Sequence, residues 1–397
     1  MKPLMNMFEE IISLDNLFRA AHVTLARGRR FYGEGAVFKF NLEDEIFRLH
    51  EQLANGTYRH GLYRVFEIRD PKPRTIAAAA FRDRVLHHAL HDVIEPRVDH
   101  IFIHDSYACR KEKGVQKALN RAQSFLRANK YVIHLDVKSY FQNINHDILK
   151  SLLRRVVGDA RVMELLEMII DSTRYLAMNG YDNAGKRRVS DVTHEDNQLY
   201  LFEDDVAPES VGSDVQSGVA ESGFRVKGLP LGNLTSQFFA NLYLNEMDQY
   251  VKHQLKARYY VRYMDDMVLF DSRKELLSET EQAVRTFATE SLKLELHPSG
   301  GPSPVSKGLS FLGFRIFSDY RKLKDTSVSR FVQRMKRYTA EYFALSSCRG
   351  EQAEFLAKIK QSTQSFNAHA MNGNTYRIRK VLYDRFPIIN QYGLAGM

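Results

Sequence analysis

The stretch that decides the fold is Tyr259–Phe270, YYVRYMDDMVLF, in which two adjacent carboxylates separate two apolar, strand-like runs. Like charges at close range repel and burial penalises each, so Asp265 and Asp266 are costly to hold together unless a divalent cation compensates them. The pattern therefore predicts a hairpin whose turn presents a metal site. The alternative is an exposed Asp-Asp turn, because acidic residues are common in turns.

Composition points to a globular protein with a polyanionic partner. The chain has 397 residues, enough for two or three subdomains and a substantial core, and its formal net charge is +9. Its two cysteines, Cys109 and Cys348, do not suit a disulfide framework or a cysteine-based zinc site. No apolar run reaches membrane-spanning length, and acids interrupt the N-terminal stretch where a signal peptide needs apolar residues. We expect a cytoplasmic protein with no membrane partner, and nucleic acid is its simplest partner.

A third carboxylate, Asp136, lies near the end of the apolar run Tyr131–Val137, a predicted buried strand that follows a predicted helix over Val115–Leu126. This position is typical of a metal ligand, because a rigid strand holds the carboxylate while the following loop opens to substrate. Magnesium prefers a few carboxylates supplemented by substrate phosphate and water. The three acids Asp136, Asp265 and Asp266 are therefore the predicted metal ligands.

Hydrophobic periodicity predicts the elements around these strands. The chain from Ser327 onward is predicted to be helical to near its end, and Leu309–Ile316 is predicted to be one further strand. The other predictions are helices over Asn41–Asn55, Phe81–Ile94, His146–Val156, Ala160–Ser172, Leu234–Lys256 and Lys274–Glu290, and a strand over Tyr63–Ile68.

The segment Asp191–Glu221 differs from the rest of the chain, because it has many acids, no Lys or Arg, and little periodicity. Its composition is typical of a mobile insertion at about residues 185–225, although Leu199–Phe202 could dock as a short strand or bind a partner. The remaining chain is correspondingly more basic than the net charge suggests. This favours a nucleic-acid partner.

Two groups of cationic or titratable residues leave alternatives open. Lys72 and Arg74 lie in a proline-rich turn before an apolar run, which suits a phosphate contact, although a solvated basic turn fits equally well. His87, His88 and His91 have the helical spacing of metal ligands, but no further suitable ligand is near in sequence. We therefore expect these histidines to pack in a helix or contact nucleic acid.

The helix predicted from Ser327 has two faces. Its apolar face carries residues such as Phe331, and its basic face carries Arg330, Arg334 and Arg337. Such a basic face is often merely solvated, but in this chain it could bind a nucleic-acid backbone.

These features, in their order along the chain, resemble the reverse transcriptase family. The resemblance covers roughly residues 40–345, and a chance match to the whole ordered set is negligible compared with a match to any single motif. The motifs are Pro73–Ile76 and Ser106–Arg110 with Gly114 in the fingers, Leu135–Phe141 as the first catalytic palm motif, Leu231–Gln237 at the template, Tyr263–Asp266 as the YxDD box, and Phe311–Phe314 as the primer grip.

The resemblance implies an α+β fold, the right-hand polymerase. Residues 1–130 would form an N-terminal extension and fingers, 131–318 a palm of antiparallel sheet packed on helices, and 319–397 a helical thumb and tail. The implied activity is RNA-directed DNA polymerisation, which extends a primer on an RNA template with dNTPs. Two Mg²⁺ ions, or Mn²⁺ in their place, would activate the primer 3′-hydroxyl and stabilise the leaving pyrophosphate.

The resemblance also implies roles for single residues. Asp136 and Asp265 would bridge both ions, Asp266 would support the ion at the primer end, and the carbonyl of Val137 would complete the site. Phe141, five residues after Asp136, would exclude a 2′-hydroxyl and so select deoxynucleotides. The other implied contacts are to the incoming nucleotide, by Lys72, Arg74, Gly232 and Gln237, and to primer or template, by Arg110, Tyr263, Met264, Leu312, Gly313, Arg330, Arg334 and Arg337.

Within the family, Leu231–Gln237 (LGNLTSQ) is similar to the motif of diversity-generating retroelements rather than to the Gln-Gly-x-x-x-Ser-Pro pattern usual in group II intron enzymes. Tyr32–Glu34 and Asn374–Arg377 also look like that subgroup. Its enzymes copy a template RNA into cDNA, often with errors at adenines and with a small basic accessory protein. The acidic insertion departs from the compact pattern of the subgroup.

The implied partners are template RNA and primer, the RNA–DNA hybrid, dNTPs, a cognate noncoding or template-repeat RNA, and an accessory protein. One alternative is a defence-associated (anti-phage) or retron-like reverse transcriptase that makes cDNA from a cognate noncoding RNA. An alternative of another class is a non-catalytic RNA-binding maturase or scaffold, against which the three intact acids argue. The chain lacks paired cysteines for a zinc-bearing endonuclease and has little room for an RNase H domain, so we expect polymerisation without template degradation or integration.

Overall fold

The computed structural model describes residues 6–26, 33–69, 73–173, 227–344 and 349–393. Lys72 and the predicted insertion at about residues 185–225, with Leu199–Phe202, lie outside the described residues. Helices and antiparallel sheets together give the expected α+β fold. The chain divides into two compact units, the first formed by Met1–Ile68, Pro73–Val93 and Phe141–Ser236, and the second by Arg69–Lys72, Ile94–Tyr140 and Gln237–Met397.

The helices are α1 (Phe8–Ile12), α2 (Leu14–Leu25), α3 (Gly33–Phe40), α4 (Leu42–Ala54), α5 (Phe81–Val98), α6 (Val115–Ala128), α7 (Tyr140–Asn143), α8 (His146–Val156), α9 (Ala160–Asp171), α10 (Leu234–Gln249), α11 (Lys274–Glu290), α12 (Asp325–Ala344), α13 (Arg349–Ala370), α14 (Tyr376–Arg385) and α15 (Pro387–Gln391). The strands are β1 (Arg64–Arg69), β2 (Pro73–Ala78), β3 (Tyr131–Asp136), β4 (Tyr259–Tyr263), β5 (Asp266–Asp271), β6 (Ser303–Pro304), β7 (Leu309–Phe311), β8 (Phe314–Ile316) and β9 (Arg321–Leu323).

The first unit contains amphipathic helices and the two-stranded sheet of β1 and β2. In it, α2 packs on α4 and α8 packs on α9. Asp159 joins two of its helices, because the carboxylate accepts a hydrogen bond from Val162 N at 3.4 Å, which caps α9, and from Met7 N at 2.9 Å and Phe8 N at 3.1 Å. One side chain therefore fixes the starts of α1 and α9 together.

The second unit is built on a four-stranded antiparallel sheet in the order β4-β5-β3-β6. The interior residues of β4 and β5 are buried without a break, because α6 packs against β4 while α11 packs against β3 and β5. A second sheet, β7-β8-β9, shares one apolar core with this sheet and with the helices α12 to α15. The core thus supports the edge of the sheet at which the three acids lie.

The prediction of one strand over Leu309–Ile316 is wrong, because this run is a hairpin. Phe311 pairs with Phe314, and the two residues between them, Leu312 and Gly313, have φ values of +46° and +84°. A Cβ added at Gly313 would lie 2.6 Å from Nε2 of His369, so only glycine fits this position. The apolar composition of the run conceals the turn, because Leu312 gives no local sign of a left-handed backbone.

Other elements agree closely with the sequence predictions. The helices over His146–Val156 and Lys274–Glu290 have the predicted bounds. The helix predicted over Leu234–Lys256 ends at Gln249 and continues as a π-helical turn over Tyr250–Gln254.

Candidate active site

Strand register brings the three predicted acids to one edge of the sheet in the second unit. β3 and β5 are antiparallel with Asp136 directly opposite Asp266, and Asp265 lies in the two-residue turn between β4 and β5. Directly opposed residues carry their side chains on the same face, with Cα atoms about 4.5–5.5 Å apart. Residues that are distant along the chain are therefore neighbours in the fold.

The turn itself has an unusual backbone for its sequence. Tyr263 pairs with Asp266 to close it, and Met264, its first central residue, has a φ of +54°. Tight hairpins usually place glycine or asparagine at such a position. The Met264 carbonyl accepts a hydrogen bond from Nη1 of the buried Arg262 at 3.1 Å, which helps to hold this conformation. Half-burial raises the pKa of the Tyr263 hydroxyl.

His134 is a neighbour of the site that the sequence reasoning missed. Its Nε2 lies 2.7 Å from Oδ1 of Asp266, and both side chains are about one-third exposed. The ring of Phe311, from the predicted primer grip, lies edge-on to His134 with centroids 6.2 Å apart. The period of two along a strand could have found His134, because it places this residue on the face of Asp136.

The loop after β3 is fixed through its backbone. His297 N donates to Asp136 O at 2.8 Å, and Lys138 N donates to Glu295 O at 2.8 Å. Val137, whose carbonyl is a predicted ligand, is buried and forms an antiparallel bridge with Leu296. The main chain of the first palm motif is thereby held on both sides of Val137.

The three acids have the donor type that magnesium prefers, and their backbones lie at neighbouring positions in the sheet. Carboxylate oxygens are the ligands that this hard cation prefers. Among the described residues, however, no three His, Cys, Asp or Glu side chains form a cluster that could hold a metal as they stand. The assignment of metal ligands to Asp136, Asp265 and Asp266 therefore stays a prediction.

In the first unit, the Gly232 motif is held against strand β2. Leu231 O accepts from Ala77 N at 3.1 Å, while the Asn233 side chain donates to Ala77 O at 2.9 Å. Gly232 has a φ of +111°, and a Cβ there would lie 2.7 Å from Cγ2 of Ile76. Close approach and backbone conformation therefore both require glycine, and Asn233 clamps the motif in place.

The other predicted nucleotide contacts are placed as follows. Arg74 is exposed on β2, the strand that the Gly232 motif packs against. Phe141 is half-buried in α7, and its carbonyl accepts from Leu229 N at 2.7 Å. Gln237, in the second unit, is exposed and accepts from the Cys109 thiol at 3.3 Å. Their contacts with a nucleotide stay predictions.

Arg110 has extensive contacts within the protein. Its guanidinium binds the Asp99 carboxylate at 2.5 and 3.0 Å and donates to the carbonyls of Ile103 and Ser106 at 2.8 and 3.0 Å. The side chain is only 7% exposed. These contacts give Arg110 a structural role in its loop, and its contact with primer or template stays a prediction.

Two of the three predicted thumb arginines line one groove. A cavity of about 410 Å³ lies between α12 and α13. The apolar face of α12 is buried as predicted, and its Phe331 stacks on Phe366 with centroids 4.1 Å apart. Arg337 lies instead over the ring of Tyr338 at 5.0 Å. The groove is lined by Ser327, Arg330, Phe331, Arg334, Ser365, Phe366 and His369.

The thumb groove, defined as this cavity, is connected to the primer-grip turn through His369. The ring of His369 packs on Phe314 with centroids 4.7 Å apart and closely approaches Gly313.

In the part of the chain that the structure describes, no helix has the length and apolarity needed to cross a membrane.

Comparisons with known proteins identify the family of this chain and several relatives. Residues 69–316 match the family described as reverse transcriptase (RNA-dependent DNA polymerase). The chain is 26% identical to Protein YkfC of Escherichia coli K12 over 375 residues, which covers 83% of this chain and 87% of that protein. It is 22% identical to the group II intron-encoded protein LtrA of Lactococcus lactis over 65% of this chain and 40% of that protein. It is also 22% identical to nuclear intron maturase 1 of Arabidopsis thaliana, over 48% of this chain and 28% of that protein.

The family match spans most of the chain, including both strands that carry the acids and the Gly232 motif. Two of the relatives carry intron-related names, and the chain spans less than half the length of each. This chain belongs to the reverse transcriptase family, the RNA-directed DNA polymerases.

Proposed function

We propose that this chain copies an RNA template into cDNA with Asp136, Asp265 and Asp266 as its metal ligands. The observation that carries the proposal is the register of β3 and β5, in which Asp136 lies directly opposite Asp266 beside the Asp265 turn. Two acids on the same face of adjacent strands would repel each other without a counterion. Their juxtaposition at a strand end is what a divalent-metal site requires.

Two Mg²⁺ ions, when bound, would activate the primer 3′-hydroxyl and neutralise the charge on the leaving pyrophosphate. The three acids would hold them, with the Val137 carbonyl as a further oxygen ligand. Phe141 would lie against the sugar of the incoming nucleotide. Arg74, also in the first unit, would contact the phosphates of this nucleotide, and Gly232 would contact the base pair that it forms. The thumb groove would bind the backbone of the RNA–DNA hybrid.

A primer-extension assay tests this proposal. With an RNA template, a DNA primer, dNTPs and Mg²⁺, we expect the wild-type chain to extend the primer and Asp265→Ala/Asp266→Ala to show no extension above background. Asp271→Asn is the matched control, because this acid lies at the far end of the same strand and bonds to Arg273 N at 2.8 Å. Equal extension by the wild type and the double variant would contradict the polymerase site and favour a non-catalytic RNA-binding role.

For the biological role we propose a retroelement of the diversity-generating type. The LGNLTSQ motif supports this, and the contacts of Gly232 and Asn233 give its first half a physical function. Sequencing of cDNA made by the purified chain is the test, with errors concentrated opposite template adenines as the expected result. Uniformly low errors would favour a defence-associated or retron-like role, and a neighbouring noncoding RNA gene would then be the feature to seek.

A further inference from the structure

A buried ion pair lies directly behind the Asp265 turn. Arg262 on β4 and Asp248 on α10 are both fully buried. The Arg262 guanidinium meets the Asp248 carboxylate through Nε at 2.8 and 2.9 Å and through Nη2 at 2.7 Å. The Tyr260 hydroxyl donates to the same carboxylate at 2.8 Å. Burial lowers the pKa of the Arg262 guanidinium, but the charge of Asp248 and its hydrogen bonds together more than offset this, so the pKa is raised and the guanidinium stays charged.

The remaining nitrogen of this guanidinium points toward the turn. Nη1 donates to the Met264 carbonyl at 3.1 Å and to Asn241 Oδ1 at 3.1 Å. Asn241 in turn donates to Ala108 O at 2.8 Å. The rigid, planar fork of arginine can meet a carboxylate and a carbonyl at once, which the point charge of lysine cannot reproduce. The Asp248 carboxylate thus holds the Arg262 guanidinium in place, and this guanidinium holds the Met264 carbonyl through a hydrogen bond.

Stability alone does not account for such a pair. Well-packed apolar residues of similar volume often replace a buried ion pair without loss of stability, because two charges must be stripped of water to form it. What the apolar pair cannot do is donate a hydrogen bond to the Met264 carbonyl. The backbone there is left-handed, at a φ of +54°, and is therefore a conformation that its surroundings must impose.

We propose that Arg262 and Asp248 are positioning residues that set the conformation of the Met264–Asp265 turn and thereby aim Asp265 and Asp266 at the metal ions. This rests on the proposed function. Neither residue would touch the substrate, and both would act through the Met264 carbonyl. Loss of the hydrogen bond would leave the fold in place but allow the two acids to depart from the geometry that holds metal.

Three variants separate positioning from stability. Arg262→Met leaves a buried carboxylate unpaired and is expected to lower the melting temperature. Arg262→Met/Asp248→Leu removes both charges and is expected to restore the melting temperature toward the wild-type value. Arg262→Lys keeps the charge and loses the fork. Lys150→Met is the control, because it breaks a partly exposed ion pair, with Asp171 at 2.7 Å, on helices of the first unit.

The expected result is a split between folding and activity. In primer extension, the double variant should lose at least about tenfold in kcat with little change in KM for dNTP, since misplacement by about 1 Å can cost about a hundredfold. Mn²⁺ titration followed by electron paramagnetic resonance should show metal binding weakened severalfold in the same variant. Arg262→Lys should regain only part of either property, and Lys150→Met should keep both.

A double variant that regains wild-type kcat and Mn²⁺ affinity together with its melting temperature would overturn the proposal, since the pair would then serve stability alone. The Mn²⁺ titration needs no polymerase activity. A wild-type chain that fails to extend any primer would therefore count against the proposed function, while unequal Mn²⁺ binding by wild type and double variant would still support the positioning role. Equal binding would contradict it.

Discussion

Left-handed backbone at non-glycine residues recurs in the turns of the motifs. Cys109, Ser139, Met264 and Leu312 all have φ between +46° and +54°. Each such residue costs of order 1–3 kcal/mol and persists only where its surroundings impose the conformation. The four lie in the second fingers motif, the first palm motif, the YxDD box and the primer grip, respectively. We infer that tertiary contacts shape these turns, and the Arg262 hydrogen bond to the Met264 carbonyl is one such contact.

Phe141 gives the first residue-scale prediction. Replacement by valine opens space where the sugar is expected to lie, so Phe141→Val should lower discrimination against ribonucleotides. Discrimination by one methylene in an apolar pocket is worth about 1–3 kcal/mol and discrimination against one added hydroxyl is of similar size, so we expect a loss of roughly 10- to 200-fold in the ratio of kcat/KM for dNTP over rNTP. Single-nucleotide incorporation with matched dNTP and rNTP measures this ratio.

Tyr140→Phe is the control for this measurement. Tyr140 is the adjacent aromatic residue, but it is buried and its hydroxyl donates to Ala240 O at 2.5 Å. Its replacement should lower stability and leave nucleotide discrimination unchanged. If Phe141→Val kept the wild-type discrimination, Phe141 would not be the residue that excludes the 2′-hydroxyl, and it would be a packing residue of α7.

At the scale of elements, the groove between α12 and α13 gives the next prediction. Arg330→Glu/Arg334→Glu places two negative charges in the thumb groove, so affinity for an RNA–DNA hybrid should fall. The slope of log affinity against log salt should become shallower by about one for each phosphate that the protein no longer neutralises, because fewer counterions are released. Fluorescence anisotropy with a labelled hybrid at several salt concentrations gives both quantities.

The control for the groove is Lys336→Glu, which reverses a single charge on the same helix at an exposed residue outside the groove lining. It should shift affinity only slightly and keep the salt slope. Arg337, over the Tyr338 ring, is expected to contribute less than Arg330 and Arg334. If the groove variant kept the wild-type slope of log affinity against log salt, this basic face would be solvated and would not bind the hybrid.

The sequence was sufficient to predict elements whose pattern is local. Helices α8 and α11 have their predicted bounds because their apolar positions recur at the helical period and their flanking residues end it. The hairpin around Asp265 followed from a break between two apolar runs. The turn at Leu312 was missed, because the run is apolar throughout and leucine gives no local indication of a left-handed backbone.

The acids of the candidate site could be predicted from the sequence, but the residues that contact and position them could not. Asp136 and Asp266 were identified by residue type and motif, whereas their direct pairing is a property of strand register. His134 beside Asp266 and Asp248 behind the turn were missed. Asp248 lies in α10, before β4 in the chain, and no local sequence pattern indicates that it is the partner of Arg262. Such supports depend on packing between elements, which a single sequence does not encode locally.

At the scale of the whole molecule, buried histidines couple folding to pH. His87 is 1% exposed, and within the described residues neither of its ring nitrogens has a hydrogen-bond partner. Its ring stacks on His60, with centroids 5.4 Å apart, and His60 lies beside the buried Asp83 carboxylate. Burial lowers the pKa of His87 well below its usual value and also lowers that of His60, although Asp83 opposes the second shift. The packing role expected for His87 is thus confirmed.

The last prediction concerns acid stability. The unfolded chain binds protons at these histidines below about pH 6.5, whereas the folded chain does so only at lower pH, so the free energy of unfolding should fall as pH decreases through that window. Each histidine contributes at most about 1.4 kcal/mol per pH unit, and above pH 7 its contribution is constant. Urea unfolding of the wild type between pH 7.5 and 5 should show this loss, and His87→Leu, which removes one titrating ring from the core, should show a shallower dependence. A variant with the wild-type slope would mean that His87 is already protonated in the folded chain, and its burial would then need a counter-charge.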